Sequence, residues 1–277
     1  MSRLLNAGFS RLKKSKCFRG FMIFMFLFGG YIKIAEFYNQ EKYNTSIPLD
    51  SGLFVYVTVI GILLAAFISL FIGTEYNDGT IRNKLVIGHT RSAIYLSNLI
   101  VCLAAGLLMC LSFLCASLLI GIPLLGPFSI NVQDIAVMVL VSFMMSFAFT
   151  GLLTLTAMIC QSRAVTAVIN ILAVFFLLLV SMVITSGLNQ PEVWESYSYI
   201  DDSGNEITVP AEPNTDYPRG AVRDVMEFCN DFLPTGQVMQ LSMMSVDEPG
   251  LLSVYSAGIL LVTTGAGIFI FRKENIK

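Results

Sequence analysis

Five stretches of this chain, Leu53–Ile72, Ala93–Ile122, Ile135–Ser162, Ala164–Gln190 and Pro249–Phe271, contain no Asp, Glu, Lys or Arg. Each runs 20 residues or more, and a hydrocarbon core about 30 Å thick needs roughly 20 apolar residues in a helix. Lipid offers backbone amides no partner, so runs of this length cross as helices that satisfy those amides internally. Nothing else in the sequence narrows the fold as much. With 55% of its 277 residues hydrophobic and 13% charged, the chain lies far from soluble proteins, where about 25% are charged.

A sixth span is less obvious. Gly20–Ile32 is uncharged, Lys33 and Glu36 follow one turn apart, and Phe37 and Tyr38 come next. A helix over Phe18–Tyr38 would set that ion pair and the aromatic pair at the far interface, where long side chains snorkel. The rival reading of residues 1–30, a cleaved signal peptide, needs a small-residue cleavage site, which Gly29-Gly30-Tyr31-Ile32-Lys33 fits poorly. The expected fold class is an all-α membrane protein with six transmembrane helices.

Charge sets the expected orientation. Thirteen of the 17 Lys/Arg fall on one side: Arg3, Arg11, Lys13, Lys14, Lys16 and Arg19, then Arg82, Lys84 and Arg91, then Arg163, then Arg272, Lys273 and Lys277. The positive-inside rule puts that side, with both termini, in the cytoplasm of a multi-pass plasma-membrane protein. Twelve of the 19 acids lie in residues 190–250, on the other side. Of six cysteines only Cys229 falls outside the spans and their cytoplasmic ends. No disulfide within the chain is expected; Cys229 reads as a free, partly buried thiol, an intermolecular bridge being the alternative.

The chain divides into four parts. In residues 1–17, Leu4, Leu5, Phe9 and Leu12 recur at helical spacing among basic residues, the pattern of an amphipathic helix lying on the anionic inner leaflet. The alternative is a disordered basic tail that only sets topology. Residues 18–188 hold spans one to five, with a cytoplasmic segment at 74–91; span three, about 45 Å long over the 30-residue run from Ala93, must tilt or project from the membrane. Residues 189–249 form a small exterior α+β segment. Ser196–Ile200 and Glu206–Val209 flank a turn-rich Asp201-Asp-Ser-Gly-Asn205 as a hairpin, and Ala211–Gly220 reads as loop. Val222, Val225, Met226, Cys229, Phe232 and Leu233 mark an amphipathic helix ended by Pro234, with a second short helix over Gln237–Ser245. Residues 250–277 are span six and a tail.

The missing chemistry is as telling. Gly-x-x-x-x-Gly-Lys-Ser/Thr, His-Glu-x-x-His and Gly-x-Ser-x-Gly do not occur, and His89 is the lone histidine, so no nucleotide, metal or other cofactor is expected in this chain and no nucleic acid as partner. No acid, base and nucleophile converge as an intramembrane enzyme requires. Spans two to six carry no ionisable group near mid-depth, although ion-driven carriers relay their coupling ion through such groups. Energy for uphill movement would therefore arrive through a cytoplasmic surface.

The loop from Gly73 to Arg91 looks built for that. Asp78 or Thr80 would cap a short helix over Ile81–Ile87, Gly88 would stop it, and Thr90 would cap span three. Ile81, Leu85 and Val86 would face one side, with Arg82 and Lys84 on others. The alternative is a solvated loop whose cations only set topology.

Phe71-Ile-Gly-Thr-Glu75 leading into Gly79-Thr-Ile-Arg-Asn-Lys-Leu85, then Gly88-His-Thr-Arg-Ser-Ala-Ile-Tyr95, resembles the junction of the second and third spans in ATP-binding-cassette (ABC) type-2 exporter permeases. Leu233-Pro-Thr-Gly-Gln237 and the closing Gly267–Lys277 are similar to that family too. The resemblance implies that Glu75–His89 is a coupling helix docking on a separate cytosolic ATPase subunit, present in two copies and carrying ATP and Mg. Its coupling residues would be Glu75, Asp78, Gly79, Thr80, Ile81, Arg82, Lys84 and Leu85. It also implies that residues 2–16 are the connecting helix and that two permeases, identical or mixed, pair around a central path. Glu75 would relay motion through a hydrogen bond to the start of span three, its alternative being a plain interfacial carboxylate. Ser181, Thr185 and Ser186 on span five would be polar points on the path, or else helix-packing hydroxyls.

The function these expectations describe is a permease subunit of an ABC exporter, without catalysis of its own, in a bacterial membrane. Its cargo would be amphipathic or hydrophobic: a membrane-active peptide, a lantibiotic-like toxin or a lipophilic drug. Within the family, exporters of phenol-soluble modulin-like toxins and those giving bacteriocin self-protection are nearest. The alternative is a non-transporting scaffold or sensor signalling through its exterior segment.

Overall fold

The computed structural model describes residues 1–200 and 206–274. Ten helices run in the order α1 (Ser2–Lys14), α2 (Lys16–Tyr43), α3 (Tyr56–Asn77), α4 (Thr80–Val86), α5 (Arg91–Leu125), α6 (Val132–Cys160), α7 (Arg163–Leu188), α8 (Ala221–Phe232), α9 (Pro234–Ser242) and α10 (Pro249–Lys273). Among the described residues, four short strands lie between α7 and α8: β1 (Val193–Trp194), β2 (Tyr197–Ile200), β3 (Glu206–Val209) and β4 (Glu212–Pro213). Helices α2, α3, α5, α6, α7 and α10 are each long and apolar enough to cross a bilayer, the six expected spans. One end of the bundle carries α1, α4 and the end of α10 and is rich in Lys and Arg; the strands and α8 lie at the other, acidic end.

Helices α3, α5 and α6 form the centre, and the rings of Tyr56, Phe67, Tyr95, Phe113 and Phe149 are all buried there. Small residues let the helices approach, as they must where lipid tails are no less apolar than the core. A methyl added at Gly29 of α2 would stand 2.6 Å from the Phe113 carbonyl oxygen of α5. Helix α7 is peripheral and exposes Val168, Leu172, Phe175, Phe176, Met182 and Val183, a face suited to lipid or another apolar surface. At 35 residues α5 is the longest element, about 52 Å at 1.5 Å per residue, so it outruns the bilayer as expected.

The first span departs from expectation in length and in its ion pair. It reaches Tyr43 instead of Tyr38, and Lys33 does not snorkel but is wholly buried. Its Nζ donates to Glu36 Oε2 at 2.8 Å, to the Leu49 carbonyl at 3.0 Å and to the Ser51 carbonyl. The 44–55 connection folds back over the helix end, and its carbonyls replace the water a snorkelling lysine would seek.

The same connection is tied to the turn between α5 and α6. Asp50 accepts from the Ser129 N–H at 2.6 Å and the Ser129 hydroxyl at 2.7 Å. Burial pushes the Asp50 carboxyl up, but the hydrogen bonds from Ser129 and nearby backbone outweigh it, so its pKa lies below the usual carboxylate value. A depressed folded pKa adds stability that is fully present above the unfolded value, about 3.9, and disappears as pH falls through the folded one. Detergent-purified protein should thus melt above Asp50→Asn at pH 7, with the gap closing below about pH 4. An equal gap at both pH values would contradict that.

At the acidic end, β2 and β3 pair antiparallel, Tyr197 facing Val209 and Ile200 facing Glu206. This is the expected hairpin; its turn, Asp201–Asn205, lies outside the described residues. The Val193–Pro213 and Trp194–Glu212 pairs add a second ladder, where a plain loop was expected at residue 212. Helix α8 leaves Val222, Val225, Phe228 and Phe232 exposed, so its apolar stripe does not close over a core of its own. Phe228 and Phe232 meet Tyr255 of α10 edge to face, with ring centroids 6.0 and 5.7 Å apart.

Pro234 does more than end α8: it opens α9, which starts three residues earlier than expected and dips into the bundle. Thr235, Gly236, Gln237, Val238 and Leu241 are buried there. Gln237 Nε2 donates to the Asp231 and Leu252 carbonyls at 2.9 and 3.2 Å, and its Oε1 accepts from the Ser256 hydroxyl at 2.7 Å. Ser256 lies seven residues into α10, so the tip of α9 sits roughly 10 Å below that helix end. A polar amide is tolerated at that depth because each of its hydrogen-bonding groups is partnered.

Candidate functional site at the basic end

Helix α4 is held away from α3 by one glycine. Asp78 ends α3, its N–H bonding the Thr74 carbonyl at 3.0 Å, and Gly79 turns the chain with φ +65°. No side chain caps α4; the expected cap by Asp78 or Thr80 is absent because Asp78 already belongs to the α3 terminus and Thr80 is the first helical residue. The stop is as expected. Gly88 has φ +96°, its N–H bonds the Leu85 carbonyl at 2.9 Å, and the His89 N–H bonds the Lys84 carbonyl at 3.1 Å, a Schellman arrangement. Thr90 Oγ1 accepts from the Ala93 N–H at 3.3 Å and starts α5.

Ile81 is buried against the bundle and Leu85 is half-buried, while Arg82 and Asn83 are exposed. Val86 does not share the Ile81 side: Val86 is 80% and Ile87 76% exposed. The helix therefore has an anchored face and an open, partly apolar one.

Glu75, only 2% exposed, is where the basic end is joined. It rises from the last turn of α3 and accepts from Asn98 Nδ2 of α5 at 2.8 Å. Its Oε1 pairs with Arg11 Nη1 of α1 at 2.6 Å and with the Lys84 ammonium of α4. One carboxylate thus binds three other helices, two of them through charge. Asn98 lies two turns into span three, within the stretch where a partner for Glu75 is expected. Around it, the Tyr76 hydroxyl donates to the Met158 carbonyl of α6 at 2.7 Å, and Arg91 donates to the Phe271 carbonyl of α10 at 3.0 Å.

Arg11 was not foreseen. Helix α1 forms as its periodicity implies, but its apolar side rests on protein: Leu4 and Leu12 are buried, and Gly8 abuts Val101 of α5. Leu4, Gly8 and Arg11 fall at helical spacing on one stripe, and a lone cation on an apolar stripe was the available signal. The guanidinium stands 3.7 Å from the Phe71 ring centroid. Burial lowers its pKa from the ordinary arginine value, and Glu75 acts to raise it again. Asn98 was hidden for a simpler reason, as an uncharged amide inside an apolar run.

The span-five hydroxyls are placed differently. Ser181 bonds Thr235 Oγ1 of α9 at 2.7 Å, and Thr185 donates to Asn230 Oδ1 of α8 at 3.1 Å. Both pin α7 to the acidic-end helices. Thr185 also borders a polar cavity of about 430 Å³ there, and Ser186 is exposed.

These features define a polytopic helical membrane protein whose connecting segments converge, at one end, on a single buried carboxylate. The ABC-2 type transporter family model matches residues 5–201, and the chain belongs to that family. It is the permease subunit of an ABC transporter, a subunit type that generally pairs with an ABC ATPase and carries no catalysis of its own. No curated protein and no solved structure matches.

Proposed function

We propose that this permease exports amphipathic or hydrophobic cargo, a membrane-active peptide or toxin being the best fit, and that two ATPase subunits drive it through α4. The observation that carries the reading is the build of α4: a two-turn helix locked by Ile81 and by Lys84 on Glu75, presenting Val86, Ile87 and Arg82 outward. A rigid rod with an open apolar tip transmits force where a solvated loop would dissipate it. The basic end then faces the cytoplasm, consistent with twelve of the 17 Lys/Arg lying there among the described residues. A second permease copy completes the path, α1 acts as the connecting helix, and the host membrane is a bacterial plasma membrane. The cargo class rests on spans whose mid-depth surfaces offer hydroxyls and amides but no charge to select an ion.

Co-expression with a cognate ABC ATPase subunit tests the docking. A Val86→Asp/Ile87→Asp variant should recover roughly 30-fold less ATPase, the loss expected from an interface hot spot worth about 2 kcal/mol. Its own melting temperature should be unchanged, since both side chains are exposed. Undiminished recovery would remove α4 from the interface.

A further inference from the structure

A second basic feature at the same end takes no part in that reading. Where α1 turns into α2, a cavity of about 360 Å³ opens between this elbow, α3 and the start of α7. Its cations come from three helices or their junctions: Arg11 and Lys14 from α1, Lys16 from α2 and Arg163 from α7. No acidic residue lines it. Arg19 crowds the same corner, its guanidinium donating to the Lys14 carbonyl at 3.2 Å. The remaining wall is Phe67, Leu70, Phe71 and Thr74 of α3, with Ser15 and Cys17 at the elbow.

Arg11 stands at the back of it, with Nη1 on Glu75, the guanidinium over Phe71, and Nε and Nη2 closed off from solvent. The donors open to the cavity are those of the exposed Lys14, Lys16 and Arg163, three cations that suit an anion with several acceptor oxygens. We propose that this cavity binds the phosphate headgroup of an anionic phospholipid, with the acyl chains running down the α3 wall.

Depth and shape select lipid over a dissolved anion. Lys16 and Arg163 are the first residues of two spanning helices, so the cavity lies at headgroup level, where basic pockets between transmembrane helices hold lipid phosphates. From this level Phe71, Leu70 and Phe67 run down α3, an apolar wall for acyl chains. A free phosphate would leave the apolar wall unfilled. Occupancy would also clamp the elbow through the arginine that holds Glu75. The site itself does not depend on transport; only the leaflet that supplies the lipid rests on the orientation proposed above.

Native mass spectrometry of the delipidated full chain in detergent tests this. Phosphatidylglycerol should bind about tenfold tighter than phosphatidylcholine of the same acyl chains. Lys14→Gln/Lys16→Gln/Arg163→Gln, all at exposed positions, should abolish that preference and leave phosphatidylcholine binding unchanged. Lys16→Gln/Arg163→Gln should lose most of the preference, whereas Arg3→Gln/Lys13→Gln, which removes as many charges from α1 outside the cavity, should keep it. If the triple variant melts early, Arg163→Gln alone carries the comparison, with a preference reduced by about half. Equal affinity for the two lipids, retained preference in the cavity variants, or equal loss in the α1 control would overturn the proposal. So would displacement of phosphatidylglycerol by millimolar inorganic phosphate, which would make this a soluble-anion site. A failed transport assay would leave all these readings intact.

Discussion

Complexes carrying Glu75→Ala are expected to hydrolyse ATP at the basal rate and to lose most of the stimulation by cargo. The reason lies in how many elements one carboxylate joins. Without it, Asn98 loses its acceptor and Arg11 and Lys84 lose their counter-charge together. Breaking a fully buried ion pair costs about 3–5 kcal/mol. Arg11 and Lys84 keep 31% and 15% side-chain exposure, so part of their charge can turn to water. The net loss should be nearer 2 kcal/mol. Most of it falls on the seams between α3, α4 and α1, which must move as one body if α4 is pushed by an ATPase. Glu75→Gln should be milder for folding, since it still accepts from Asn98, but equally damaging to stimulation. A double-mutant cycle with Lys84→Gln should show coupling of about 1 kcal/mol or more, because the two groups touch. Stimulation preserved in a stably folded Glu75→Ala complex would end the relay reading.

The largest effect on folding is expected at the other end. Lys33→Met keeps the length and apolar stem of the side chain but strips its charge. Glu36, with 15% side-chain exposure, is then left without its partner, and the Leu49 and Ser51 carbonyls lose their donor. Removing one member of such a pair costs about 3–5 kcal/mol, and a buried unmet acceptor adds about 1–3 kcal/mol. Lys33→Met should therefore melt well below the parent in the same detergent, and the 44–55 connection should become protease-sensitive. Lys33→Met/Glu36→Gln should regain a good part of that loss, since removing both charges is far less costly than stranding one. A single variant as stable as the parent, or a double variant worse than the single, would show that Lys33 does not organise this connection.

Lys33 also shows how sequence reading fails in membrane proteins. A lysine a few residues from the end of an apolar run has water within reach, so snorkelling is the default. What reversed it was a loop from later in the chain, folding back to offer two carbonyls. Arg11 and Asn98 have the same logic. Each is unremarkable in its own helix and acquires a role from Glu75, which lies 64 residues beyond one and 23 before the other. The cap of α4 failed for a local reason: Asp78 was claimed by the terminus of the preceding helix. Ser181 and Thr185 are polar points on an apolar helix, which periodicity alone reads as path or packing; the partners offered by α8 and α9 make them packing contacts within this chain.

Chain composition decided that this protein is a bundle of six crossing helices, where each begins and ends to within a few residues, and that a structured segment follows the second. Those properties are local, because in lipid every stretch of backbone must satisfy its own hydrogen bonds and apolar length alone selects the helix. Which buried polar groups meet was decided only in three dimensions. The convergence on Glu75, the burial of Lys33, the dip of α9 and the basic cavity at the elbow all depend on partners far apart in the chain, brought within hydrogen-bond reach by packing that hydropathy does not encode.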